Sequence, residues 1–432
     1  MDTESKNKRT VLAPGIKLLL LGVMALALLI PQVFIDLLVD SRKDTAEDVR
    51  EELARSWGGE QYVRPLWLTF YKLNDKGKAT DEMVYIQADS VRMNVDVTTS
   101  ERSRGFYSAI LYHATIRVSG YFNPALLKGE NGKDINVNAD GYLCTSIREP
   151  IGLKSNFVVK MEGKEYALQV SNVPQPFSNT CLAARFNGEK DSVGYFSYTY
   201  ELNGYKNLEF YVQTPATDVA LTMHYPNPAF SGDCLPDERN ITDSVTTARW
   251  KLYASTSLFP QVLEQDRRSD HYYEEYDSDR ERSFTVSTQF TDVYYRAIER
   301  SLKYAILIIV FTFLTFFFTD TLSKTNMPMI GYLLTGFAIL LFYTLLLSLS
   351  EYLPFGWAYF LSSFAIISMI GVYFWSFIRS LKATGVCVGI LVLLYLFLYI
   401  ILQMDSFPLL VGSLFLFVVL GIVMYLSRKL TW

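Results

Sequence analysis

Histidine is nearly absent from this 432-residue chain, and much of the usual catalytic repertoire goes with it. His113, His224 and His271 are widely spaced and lack ligand-like neighbours, which argues against a histidine-based triad or a metal site. No HExxH, GxSxG, CxxC or Walker-type phosphate loop occurs. Cysteine is scarce too. Cys387 sits in an apolar run, and Cys144, Cys181 and Cys234 fall in the polar half, a number compatible with one disulfide and a spare thiol or with none. Neither charge sign dominates: the net charge of −4 offers no basic face to nucleic acid. Carboxylates occur (Asp89, Asp96, Glu101, Asp233, Asp237, Glu238), but their spacing singles out no pair for acid–base work. The sequence therefore assigns no catalytic residue, no cofactor and no metal ligand.

What it has instead is long apolar runs. Hydrophobic residues make up 50% of the chain and aromatic residues 15%, with nearly all the charge before Lys303. Behind a polar, basic tail (1–17, with Lys6, Lys8 and Arg9), residues 18–35 carry no charge. Ala25-Leu26-Ala27 resembles a signal-peptidase site but lies inside the run, so an uncleaved signal anchor is expected. Five further runs follow at 301–319, 327–350, 356–377, 384–402 and 407–426, each near the ~20 residues that cross a bilayer. Lys and Arg flank the inner turns (Lys324; Arg379 and Lys382; Arg428 and Lys429), whereas the short outer turns hold Glu351 and Asp405. This positive-inside asymmetry leaves both termini cytoplasmic and residues 36–300 outside.

The exported segment opens with an amphipathic helix on which Val49, Leu53 and Trp57 share a face, stopped by Gly58-Gly59. Short alternating stretches follow, among them Arg64–Leu73, Met83–Thr98, Tyr107–Val118, Asn156–Met161, Tyr195–Tyr200, Asn207–Thr214, Asp218–His224, Thr246–Ala254 and Phe284–Phe290. They read as antiparallel β with a core of its own. The expected fold is thus an integral membrane α + β protein. Six transmembrane helices carry a large, β-rich, sandwich-like domain between the first and second spans.

Two acids at span ends, Glu351 and Asp405, are candidates for a membrane function, against the plainer reading that they cap turns at headgroup level, with Glu351 near Lys303 or Arg300. The lead-in at 292–303 is a candidate for coupling. Tyr295, Ile298 and Leu302 would dock, and Arg296, Arg300 and Lys303 would lie near headgroups, with rigid continuity into the next span. Trp357, Tyr359, Tyr373 and Trp375 read as an interface belt. The acidic-aromatic stretch 270–278 reads as a solvated loop or a partner contact.

Several stretches together resemble the CreD family of inner-membrane proteins. They are LLIPQVFIDLLVDSR, RSWGGEQ (Arg55–Gln61), Ser100–Phe122, YPNPAFSGDCLP (Tyr225–Pro236), Ala248–Trp250, LFYTLLLSLSE and the terminal VMYLSRKLTW. The resemblance is colinear over essentially the whole chain. Arg64-Pro65 stands where the family usually has Gly-Pro. The resemblance implies a bacterial inner-membrane location and a role in envelope integrity, linked in some bacteria to stress responses and to altered tolerance of colicins and β-lactams. Expected partners are the lipid bilayer and envelope proteins or cell-wall components, with no nucleic acid. It carries over no catalytic residue.

Overall fold

The computed structural model describes residues 14–428 except 75, 77, 106, 128–136, 174–179, 189–190, 254–259, 267–280, 289–292, 323–326 and 405–407. The chain divides into two compact units, residues 47–291 and residues 1–46 with 292–432.

In the first unit, strict alternation builds a 13-stranded sheet and a 4-stranded sheet over one core. In Ser90–Arg104, residues Val91, Met93, Val95 and Val97 point inward and are buried, while Arg92 and Asn94 point out. Tyr107–Tyr121 pairs with it in antiparallel register, Met93 opposite Val118, and contributes Ile116 and Val118 to the same core. Trp250 stacks on Phe284 at 4.3 Å between ring centres, and Phe284 on Phe210 at 5.1 Å, joining residues of both sheets in one aromatic column. The wholly antiparallel expectation is corrected at two places. Gln61–Val63 pairs parallel with Asn207–Val212, and Ser90–Arg104 pairs parallel with Ala216–His224. The two sheets are also far from equal, so the sandwich is lopsided. Met83–Thr98, read as one stretch, is two strands separated at Ala88-Asp89.

The helix Leu29–Arg55 straddles the division between units. Its last turns pack Ala54, Leu53 and Trp57 on Ala109, Leu111 and Tyr205, as the amphipathic pattern requires. Gly58 and Gly59 both donate to Ala54 O, ending the helix, and a Cβ on Gly58 would lie 2.3 Å from Asn203 O. Only glycine fits there.

The second unit holds the apolar helices. Among the described residues four are long and apolar enough to cross a membrane (Gly15–Arg55, Met329–Ser350, Phe355–Ile378 and Leu381–Gln403), or five if the bent pair Tyr295–Lys303 and Ala305–Thr321 is one span. Pro408–Ser427 is a further apolar helix. The rigid continuity expected at 303–304 is overturned by a 47° bend. The side chain of Gln32 donates to Leu302 O at 2.9 Å, and Tyr304 N bonds only three residues back, to Ser301 O. A side chain inserted into the helical ladder is a recognised cause of a kink.

Candidate functional site

On the β unit the polar face of the large sheet forms an open groove of 810 Å³. Adjacent strands supply its lining by period-2 alternation: Arg92, Ser119, Tyr121, Lys160, Ser197, Asp218 and Lys251 all face away from the core that Val91, Val118, Val159, Phe196, Val219 and Trp250 fill. Tyr121 and Tyr195 lie opposite one another in register with ring centres 4.7 Å apart. Tyr195 is 74% exposed and Tyr253 66%, so two aromatic faces are offered to solvent. A second depression of 470 Å³ continues along the same strands past Arg117, Ser119, Lys160 and Ser197.

One wall is built with strain. Glu162 and Gly163 form the turn between Phe157–Met161 and Lys164–Ser171, with φ of 46° and 80°. Left-handed backbone at a non-glycine residue needs support. It is present: the Glu162 carboxylate accepts the Tyr195 N–H at 2.6 Å and so fixes the turn against the exposed tyrosine. Arg249 and Arg92 both bond Asp218, and the Arg249 guanidinium chiefly holds that carboxyl below the usual range. The groove is lined by hydroxyls, tyrosine rings and the cations Arg92, Arg117, Lys160 and Lys251, with the carboxylates Glu162 and Asp218, and Val91, Phe196, Ala216 and Leu252 add apolar surface. Such a lining suits stacking and hydrogen bonding to a polar polymer.

The membrane unit has a polar node that sequence reasoning missed. Lys17, from the first helix, forms an ion pair with Asp320 near the end of Ala305–Leu322, and both are buried. Lys17 also lies 5.2 Å from the ring centre of Tyr332, and Met327 N donates to Asp320 Oδ1 at 3.0 Å. Lys17 reads in sequence as the edge of the basic tail, and Asp320 as part of a turn. The available signal was two lone, opposite charges at the ends of consecutive spans. An isolated charge away from water is costly, so each fixes the other.

The residues singled out in sequence fare differently. Arg300 donates to Leu402 O and to Met404 O at 3.3 Å, neutralising the carbonyl end of Leu381–Gln403. Arg296 and Lys303 are exposed. Lys43 and Glu299 pair at 2.7 Å, and Tyr295 OH bonds Arg42 O, so 293–303 docks on the first helix. Glu351 is the half-buried cap of Met329–Ser350; among the described residues no ion pair joins it to Lys303 or Arg300. Tyr359 is a core residue and not part of an interface belt: it is buried and donates to Tyr395 O at 2.6 Å, whereas Trp357 and Trp375 are exposed. Asp405 and the stretch 270–278 lie outside the described residues. The carboxylates named above are dispersed: Asp89 bonds Gln261, Asp96 faces His224, Asp233 accepts from Ser283 N and Asp237 from Lys251 N. Among the described residues no three metal-ligating side chains gather.

A family model described as inner membrane protein CreD matches residues 13–432. The inner membrane protein CreD of Escherichia coli (strain K12) is 24% identical over 419 residues, covering 94% of this chain and 91% of the relative. Among solved structures, an M1 zinc metallopeptidase from Deinococcus radiodurans is 7% identical with a TM-score of 0.18, covering 47% of this chain and 43% of its own. A protease from Parabacteroides distasonis gives 8% identity, 49% and 43% coverage and a TM-score of 0.22. Likenesses this loose carry no argument.

Proposed function

Because this chain belongs to the CreD family of inner membrane proteins, we propose that it maintains the cell envelope by holding an envelope component, a cell-wall polymer or an envelope protein, in the groove across its large sheet. In this reading six spans cross the inner membrane, Pro408–Ser427 being the last, with both termini cytoplasmic and the β unit periplasmic. The loop charges support the orientation. So does the pairing of Lys17 with Asp320 and of Gln32 with Leu302, which runs the first two spans antiparallel and leaves both ends of 36–300 on one side. The observation that carries the binding role is the groove of tyrosine rings, hydroxyls and cations that runs across adjacent strands of the large sheet. Binding is what that lining serves.

The test is complementation of a strain lacking the protein, under envelope stress. Tyr195→Ser combined with Lys160→Ser and Lys251→Ser leaves membrane abundance unchanged and abolishes tolerance. Full tolerance from that variant would overturn the binding role.

A second reading, that the bundle transports or senses a small amphiphile, draws on the Lys17–Asp320–Tyr332 node beside Glu351 as a candidate charged element. It predicts that Tyr332→Phe, which keeps the ring over Lys17, abolishes tolerance at normal abundance.

A further inference from the structure

Cys144 and Cys181 lie on neighbouring strands, Val137–Ile147 and Thr180–Asn187. The antiparallel register sets Cys144 opposite Ala183 and Ser146 opposite Cys181. The two cysteines are therefore diagonal neighbours whose side chains share one face of the sheet. Both are buried in a small cluster walled by Trp67, Met83, Tyr85 and Leu263, apart from the main core. Both thiols are free in this structure. Cys234 and Cys387 belong to other surroundings.

We propose that Cys144 and Cys181 form a disulfide in the mature protein. The proposal rests on the export of the β unit, since an oxidising compartment is where such bonds persist. The bond forms by thiol–disulfide exchange with a disulfide-bearing thiol oxidase of the envelope. The Cys181 thiolate attacks one sulfur of the oxidase disulfide, and its partner sulfur leaves as a thiolate. The Cys144 thiolate then attacks Cys181 in the mixed disulfide and releases the second oxidase sulfur. Both protons and both electrons end on the oxidase dithiol. The exchange precedes burial of the pair, because folding leaves Cys144 and Cys181 shielded from a protein oxidase. Closure draws the diagonal pair to the spacing a disulfide spans and staples two strands inside the large sheet.

The experiment uses the full chain in its own membrane. Cells are quenched with acid and alkylated with N-ethylmaleimide under denaturing conditions, and the purified protein is mapped without reductant. The expected result is one linked peptide pair holding Cys144 and Cys181, with Cys234 and Cys387 alkylated. Recovery of alkylated Cys144 and Cys181 overturns the proposal. A Ser197→Cys variant, probed in whole cells with a membrane-impermeant maleimide, separates the two readings. Labelling with the pair still free leaves export standing and sinks the disulfide; no labelling sinks export and the proposal's premise with it. As a second readout, reductant lowers the melting temperature of the wild type by roughly 5–10 °C and leaves a Cys181→Ala variant unmoved. Equal responses would also contradict the bond.

Discussion

The two units treat charge in opposite ways. The β unit carries many ion pairs on or near its surface, such as Lys72 with Glu82 and Glu264, or Arg92 with Asp218. The apolar runs of the membrane unit carry few charges, and two at their ends, Lys17 and Asp320, are buried against each other. Water sets the difference. An exposed pair exchanges one set of hydration bonds for another and gains little. A pair away from water has no such alternative, so losing either member leaves a bare charge. The β unit repeats that logic in its interior, where Arg64 meets Glu281 through two bonds of 2.7 and 2.8 Å and lies 3.6 Å above Tyr211.

The largest expected effect therefore falls on the least conspicuous pair. Asp320→Ala costs about 3–5 kcal/mol, and Lys17→Ala a similar amount. The double change Lys17→Met with Asp320→Leu restores most of the loss. Denaturant unfolding of detergent-solubilised protein, with membrane abundance alongside, reads this out. A mild single variant would break the contrast between the units.

An intermediate effect tests backbone alone. Gly163 has φ of 80° and open space where a side chain would go, so Gly163→Ala destabilises by about 1–2 kcal/mol for conformational reasons only. Thermal unfolding measures it, and Gly105→Ala, at φ of 64° with open space around a Cβ, is expected to lose a similar amount.

The smallest effect sharpens the surface side of the comparison. The Arg249 guanidinium, with Arg92, holds the Asp218 carboxyl below its ordinary value. A depressed folded pKa stabilises fully above the unfolded carboxylate value of about 3.9, and that stability is lost as pH falls through the folded value. Asp218→Asn thus lowers the melting temperature slightly at pH 7, and the gap from wild type closes in acid. A gap that widened in acid would reverse the sign.

How much of this was legible in the sequence depends on how local the cause is. Alternation exposed strands such as Tyr107–Tyr121 and Asn207–Val212 because one face of each is buried. Val137–Ile147, Lys164–Ser171 and Thr180–Asn187 escaped notice, since Gly141, Cys144, Ala167 and the pair Ala183-Ala184 dilute the β-branched signal that marks a strand. The bend at Tyr304 depends on Gln32, 270 residues before Leu302, and nothing near residue 304 announces it. Asp320 follows its apolar run by one residue and passes for a turn until Lys17 is placed beside it. Each groove residue could be assigned to a polar face, but the groove itself is a product of register across six strands.

The most direct measurement puts a photo-crosslinking amino acid at Tyr195 in living cells, with Val170, exposed at 63% and outside the groove lining, as the control. Adducts are then treated separately with a muramidase and a protease. The account predicts a strong adduct at Tyr195, sensitive to one of the two treatments, and little at Val170. Equal adducts at both positions, or none at Tyr195, would contradict a binding groove on this face.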